Sequence, residues 1–279
     1  MKRIILIALL VSMSFINKGY AGEAFRVYLE NELPNVSTQI SQGNFQSVFN
    51  EIKEMLNNKK LKKEEKLYIL DKYFEQAKNL GYFAESGQIY ELSYSVDGVD
   101  KDLARTVHAK LTKFYEDTRS WQKAIKTHFY YLQHIKVEDK EKKEVLFSIV
   151  TNYINLLQFK KAERVLGEIL QSANNDRDFA YVFYYQALCH FSQNEYKEAI
   201  RFYEKALSFD VLDTVEKGRS YYNMGLCYEI NNEIKNTLMN YKKSEEFYEN
   251  KIVLYKRMER LKKKSPRIYN EVMNEKSKS

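Results

Sequence analysis

The chain has 279 residues, with 9 glycines, 2 prolines and no sustained alternation of apolar and polar residues, which excludes a predominantly β fold and favours helices. Its formal net charge of +7 is unevenly spread, because residues 251–279 contain ten Lys or Arg against three Glu, and residues 1–21 contain three against none. The intervening residues are therefore mildly acidic and show no basic stripe, which excludes nucleic acid as the partner.

Residues 1–21 have the layout of a secretory signal peptide. A basic start precedes an apolar run at 4–16, and Gly19 and Ala21 supply small residues ahead of a cut before Gly22. The run is short for a membrane span of about 20 residues, although an uncleaved anchor is the alternative. We therefore expect an exported protein in the periplasm or another extracytoplasmic space.

Beyond residue 21 the sequence repeats with a period of 37 or 38 residues. Each period has a compact residue, with a large apolar residue three positions before it. The compact residues are Val48, Ser86, Ala124, Ala162, Ala199 and Thr237, and the large ones are Phe45, Phe83, Trp121, Phe159, Tyr196 and Ile234. A fixed phase of this kind predicts one supersecondary unit stacked several times, with the compact residues at close helix crossings.

The turn inside each unit is predicted five residues before the compact residue. Gly43, Gly81, Asn194 and Asn232 occupy that position in four units. Glycine and asparagine adopt left-handed backbone angles at little cost, so they suit the link between two helices.

The fifth unit resembles the tetratricopeptide repeat, a helix–turn–helix unit. Residues 183–190 align with 221–228 of the next unit, and Ala199 and Ala206 match the alanine pair of the family's second helix. The period exceeds the family's usual length of about 34 residues, and the family's closing proline is absent, so we expect helices longer by about one turn. The resemblance implies an all-α, right-handed superhelical solenoid of about six helix–turn–helix repeats.

The expected organisation is a signal peptide at 1–21, a helical repeat domain at 22–250 and basic C-terminal capping helices at 251–279. At the start of the repeats, Glu23 to Glu32 is expected to form a short lead-in, and Pro34 suits the first turn of the helix that follows. The predicted capping helix places three apolar side chains on one face, and a short second helix follows Ser265 and Pro266. Those side chains are Leu254, Met258 and Leu261.

The sequence shows no spacing typical of catalysis, phosphate binding or metal ligation. His108, His128 and His190 replace core aromatic residues in the repeat register and are interpreted as packing residues. Cys189 and Cys227 share one phase of neighbouring repeats, about a helix spacing apart, which exceeds the reach of a disulfide. We therefore predict a non-enzymatic protein with no cofactor or metal and two buried thiols.

In tetratricopeptide proteins the inner face of each first helix commonly receives a peptide or a partner helix. The resemblance carries this role to the C-terminal half of the chain, where that face is apolar and aromatic. The candidate groove residues are Phe147, Thr151, Ile154, Tyr181, Tyr184, Leu188, Phe191, Tyr222, Leu226 and Ile230. Two other interpretations stay open: the C-terminal helices cover this stripe, or the long helices simply pack through it. The accessibility of Tyr184 and Tyr222 distinguishes the three.

These patterns predict an exported scaffold that binds a protein or peptide in its groove and takes part in cell-envelope assembly or maintenance. The alternative is a peripheral membrane-surface protein, whose basic tail binds anionic lipid or another polyanion. The tail residues are Lys256, Arg257, Arg260, Lys262, Lys263, Lys264 and Arg267.

Overall fold

The computed structural model describes residues 21–59, 61–95 and 100–275. These residues form fourteen α-helices and one short 3-10 helix at Leu92–Ser95, with no strand among them, so the all-α prediction is confirmed. The predicted signal peptide, apart from Ala21, lies outside the described residues. Within the described ranges, no helix combines the length and the apolar character that crossing a membrane requires.

The chain divides into two compact units, residues 1–136 and 137–279. The first contains α1 (Ala21–Ser41), α2 (Phe45–Leu56), α3 (Lys63–Asn79), α4 (Phe83–Glu91), α5 (Lys101–Asp117) and α6 (Trp121–His134). The second contains α7 (Asp139–Asn155), α8 (Phe159–Ser172), α9 (Asp176–Ser192), α10 (Tyr196–Ser208), α11 (Thr214–Ile230), α12 (Ile234–Ser244), α13 (Lys251–Lys264) and α14 (Pro266–Asn274). Within each unit, successive helix pairs stack as in an α-solenoid.

The long period is explained by the first helix of each pair. From the second pair onward, α3, α5, α7, α9 and α11 each have 17 residues. Polar side chains fix where several of them begin: the side chains of Asp100, Asn175 and Asp213 accept hydrogen bonds from backbone N–H groups in the first turns of α5, α9 and α11.

The compact residues lie where the helices come closest. All six are 0% exposed: Val48, Ser86, Ala124, Ala162, Ala199 and Thr237. The same requirement is visible at Gly225 on α11, where an added Cβ would lie 2.4 Å from the ring of Tyr241 on α12. Stacked helices exclude larger side chains from these crossings, which is the reason for the repeat phase seen in the sequence.

The turn inside every pair has the same backbone conformation. The residue five positions before the compact residue has a positive φ in all six pairs: Gly43, Gly81, Arg119, Leu157, Asn194 and Asn232. In the second pair the amide of Tyr82 donates to the carbonyl of Ala77 at 2.9 Å, and that of Gly81 to Lys78 at 3.0 Å. This is the Schellman arrangement, which pairs the last carbonyls of a helix.

One predicted boundary is wrong. The chain does not break before Pro34, because α1 runs from Ala21 to Ser41 with Pro34 inside it. A proline removes one helical N–H donor. Pro34 is exposed, so water can hydrogen-bond the carbonyl that has lost this donor and the helix continues.

Candidate partner-binding cleft

A cleft of about 520 Å³ lies between the first halves of α7 and α9. Its apolar wall consists of Phe147 on α7 and Tyr181 and Tyr185 on α9, all half-buried. The ring centroid of Phe147 lies 5.8 Å from that of Tyr181 and 5.3 Å from that of Tyr185, with the second pair stacked at 19°. Two of the predicted groove residues therefore meet at this cleft, and Tyr185 is one that the sequence interpretation missed.

The helical repeat places these side chains together on α9. Tyr181, Tyr185 and Leu188 are four and three residues apart, so they share one face of the helix. Ala180 and Ala187 on the adjoining face are fully buried. The signal that identifies Tyr185 is therefore its spacing from Tyr181 and Leu188.

The polar end of the cleft is held by an ion network. The Lys143 ammonium, 5% exposed, lies 2.7 Å from Asp139 Oδ2 and 2.8 Å from Asp178 Oδ2. The hydrogen bond to Asp139 has the largest effect on the pKa of Lys143, followed by the one to Asp178. Both raise this pKa, and together they outweigh burial, which lowers it. Asn175 Nδ2 also donates to Asp178 at 3.0 Å. Because Lys143 joins α7 to α9, this network fixes the width of the cleft.

Polar partners also fix Tyr181 at the rim. The guanidinium of Arg177 lies 5.3 Å from the centroid of its ring, a favourable cation–π distance. Its hydroxyl donates to Asp213 Oδ2 at 2.8 Å, and burial together with this carboxylate raises the pKa of Tyr181. The phenol therefore stays neutral and offers an apolar face to the cleft.

Tyr184 does not face the cleft, and this corrects the prediction. It is 3% exposed, its ring packs 6.2 Å from that of Tyr203, and burial raises its pKa to about 12. One residue along a helix turns the side chain by about 100°. This rotation places Tyr184 in the core and leaves Tyr185 on the face that lines the cleft.

Tyr222 is also buried, at 7% exposure, but for another reason. Tyr248, in the segment before α13, stacks on its ring with centroids 4.1 Å apart. Arg257 Nε on α13 donates to its hydroxyl at 3.1 Å, and Leu226 packs into the same cluster. At the sixth pair the structure therefore agrees with the alternative in which C-terminal residues cover the stripe.

Gly218 on α11 permits this cover. A Cβ at Gly218 would lie 2.7 Å from the backbone carbon of Phe247, so the chain before α13 crosses α11 in direct backbone contact. On α13 itself Leu254, Met258 and Leu261 are buried, as predicted. The predicted start of α14 at Pro266 is likewise confirmed.

The remaining groove candidates are dispersed. Ile230 is 56% exposed at the end of α11, and Thr151 is exposed, with its hydroxyl donating to the carbonyl of Phe147 at 3.1 Å. Ile154, Leu188 and Phe191 are half-buried.

Part of the basic tail is engaged with the sixth pair. Glu229 on α11 pairs with Arg257 at 3.0 Å and with Arg260, and Lys264 donates to Asn232 at 2.9 Å. Burial alone would raise the pKa of Glu229, but the hydrogen bond from Tyr241 and the two guanidinium charges outweigh it and lower that pKa. Lys262 lies 3.9 Å from Glu259, whereas Lys256, Lys263 and Arg267 are exposed.

His108, His128 and both cysteines pack in the interior. His108 Nε2 and His128 Nδ1 are 3.0 Å apart with both rings buried, and half-buried His190 stacks on Phe202. Cys189 and Cys227 are buried and free, and burial raises the pKa of each thiol to about 12. Among the described residues, no three His, Cys, Asp or Glu side chains are grouped to hold a metal ion.

Comparison with known proteins gives a local family match. Residues 180–210, which span most of α9 and α10, match the sequence model of the tetratricopeptide repeat family. No curated protein matches the chain significantly.

Solved structures resemble the chain over most of its length. BtubC (BKLC) from P. vanneervenii matches with a TM-score of 0.50 and 14% identity, covering 76% of this chain and 90% of that one. A tetratricopeptide repeat protein from Parabacteroides merdae matches at 0.42 and 15%, covering 91% and 100%. The C-terminal part of a TPR repeat-containing protein from Cytophaga hutchinsonii matches at 0.39 and 11%, covering 77% and 95%. The fifth helix pair is therefore a tetratricopeptide repeat, and the other five pairs share its register.

Proposed function

We propose that this protein is a non-enzymatic, exported scaffold that binds a protein or peptide in the cleft between α7 and α9 and takes part in assembling or maintaining the cell envelope. The tetratricopeptide fold supports a role in protein interaction, because such repeats typically bind protein partners. Export is supported by the sequence pattern of residues 1–21, and the envelope role rests on export alone.

The aromatic wall of the cleft is the observation that carries the binding role. Phe147, Tyr181 and Tyr185 keep part of their rings exposed inside a concave site, and large aromatic side chains are favoured anchors at protein interfaces. The ion network of Lys143 keeps the site open in the absence of a ligand, so little ordering is required on binding. The chemistry fits an extended peptide that inserts an apolar side chain against these rings.

Selection of displayed random peptides on the full chain tests this role. The recovered peptides are titrated against the wild type and against Phe147→Ala combined with Tyr185→Ala. Affinity should fall at least about 30-fold, since one interface anchor is often worth 2 kcal/mol or more. Circular dichroism and thermal melting show whether the variant keeps its fold, and Phe147→Leu provides a milder change.

The matched control is Leu170→Ala combined with Val211→Ala. These side chains are 38% and 40% exposed in the same unit but do not line the cleft, so the control should bind like the wild type. Peptides that bind the cleft variant as tightly as the wild type would overturn the assignment.

A further inference from the structure

The outer surface of α13 exposes a cluster of large apolar side chains. Ile252, Val253 and Tyr255 are 69%, 37% and 44% exposed, and they lie within four consecutive residues. The Tyr255 hydroxyl donates to Glu245 Oε1 at 3.0 Å, which holds its ring at the surface. Contiguous exposed apolar groups usually mark an interaction site.

The same helix is strongly cationic. It contains seven Lys or Arg, and Glu259 is its one acidic residue. Arg257 and Arg260 bind Glu229 on α11. Lys256 and Lys263 are exposed, and they follow Ile252 by four and eleven residues, so all three lie along one outer line of the helix.

Charge decides which occupant fits this surface. A second copy docked through the same face would bring the Lys256 and Lys263 side chains of the two copies near one another, which is repulsive. An anionic surface instead attracts these lysines, while Ile252, Val253 and Tyr255 enter the boundary between headgroups and acyl chains. We propose that the outer face of α13 docks on an anionic lipid surface. This surface shares no residue with the cleft between α7 and α9, so the lipid-docking proposal can be tested independently of peptide binding.

Cosedimentation of the full chain with phosphatidylcholine vesicles, with and without phosphatidylglycerol, tests the proposal. The wild type should bind more tightly when phosphatidylglycerol is present, and added salt should weaken this binding. Lys256→Gln combined with Lys263→Gln should weaken it about 30-fold, because each lysine near an anionic surface adds about 1 kcal/mol, or about fivefold in affinity. Ile252→Ser should weaken binding several-fold at both low and high salt.

The matched control is Lys160→Gln combined with Lys197→Gln, which removes the same charge from exposed positions on α8 and α10. It should bind like the wild type. Binding through the apolar run at 4–16 would be common to every variant, so differences between variants report on α13. The proposal is overturned if phosphatidylglycerol has no effect, if the control loses as much as the α13 variant, or if Ile252→Ser binds unchanged. In the first case an acidic protein would be the better occupant of this cationic face.

Discussion

The turn residues show where residue type alone predicts the backbone conformation and where it does not. Gly43, Gly81, Asn194 and Asn232 indicate the left-handed position by residue type, but Arg119 and Leu157 adopt it as well, with φ of 55° and 56°. The helices on either side impose the turn, so the backbone accepts an unfavourable residue where packing requires the geometry. A repeat register therefore predicts the conformation at positions where residue type does not.

Leu157→Gly should stabilise the fold by about 0.5–1 kcal/mol. A side chain in the left-handed region costs about 1–2 kcal/mol, and the extra flexibility of glycine in the unfolded chain offsets part of the gain. Leu157 is 69% exposed, so its removal sacrifices little packing. The free energy of unfolding from urea titration provides the measurement.

The same substitution at Leu170 is the control. Leu170 lies inside α8 with 38% exposure, where glycine should destabilise by about 1 kcal/mol. Residue type alone would predict the same sign for both Leu→Gly substitutions, so opposite signs are expected only if backbone conformation decides the outcome. Destabilisation by both substitutions would contradict a strained Leu157.

At the scale of helices, the cover over α11 depends on Glu229. This carboxylate receives Tyr241 of α12 and two arginines of α13, so it joins three helices. Glu229→Gln should destabilise the fold by about 1–2 kcal/mol, since the charge-assisted hydrogen bonds are weakened. Glu259→Gln is the control: its partner Lys262 lies 3.9 Å away, with both side chains at least half exposed, and the change should stay within about 0.5 kcal/mol.

The pH dependence of this contact has a definite sign. The folded pKa of Glu229 is lowered, so its contribution is fully present above the unfolded value of about 4.3 and is lost as pH falls through the folded pKa. The difference in free energy of unfolding between wild type and Glu229→Gln should therefore be largest near neutral pH and shrink below about pH 4. A difference that stays constant down to lower pH would show that the charge of Glu229 is unimportant.

Periodicity predicts elements better than it predicts their exposed faces. The six compact residues, the helix pairs and the apolar face of α13 all follow from spacing, because each depends on contacts within or between adjacent helices. The assignment of Tyr184 and Tyr222 to the groove was wrong for two reasons. A shift of one residue along the helix moves a side chain from the groove to the core, as at Tyr184, and another part of the chain can cover a groove position, as at Tyr222. The cover over Tyr222 needs the backbone approach at Gly218 and the carboxylate of Glu229, and neither has a signature within a single repeat.

At the scale of the whole molecule, charge and sequence divide the protein into three parts: a basic apolar start, a mildly acidic body and a basic end. If the proposed export occurs, the start is removed and the mature chain begins at Gly22. The structure describes α1 from Ala21, so a cut at this bond would leave nearly the whole helix in the mature protein.

The intact mass of the exported protein tests this cleavage. Signal peptidase needs small residues before the cut, so Ala21→Leu should leave the chain at full length, whereas Lys18→Gln, which alters charge but neither small residue, should still be processed. The wild type should have the mass of residues 22–279 and remain in the soluble fraction. A wild-type protein that keeps residues 1–21 and fractionates with membranes would instead favour the uncleaved anchor. The outer face of α13 would then dock on a membrane to which the chain is already attached.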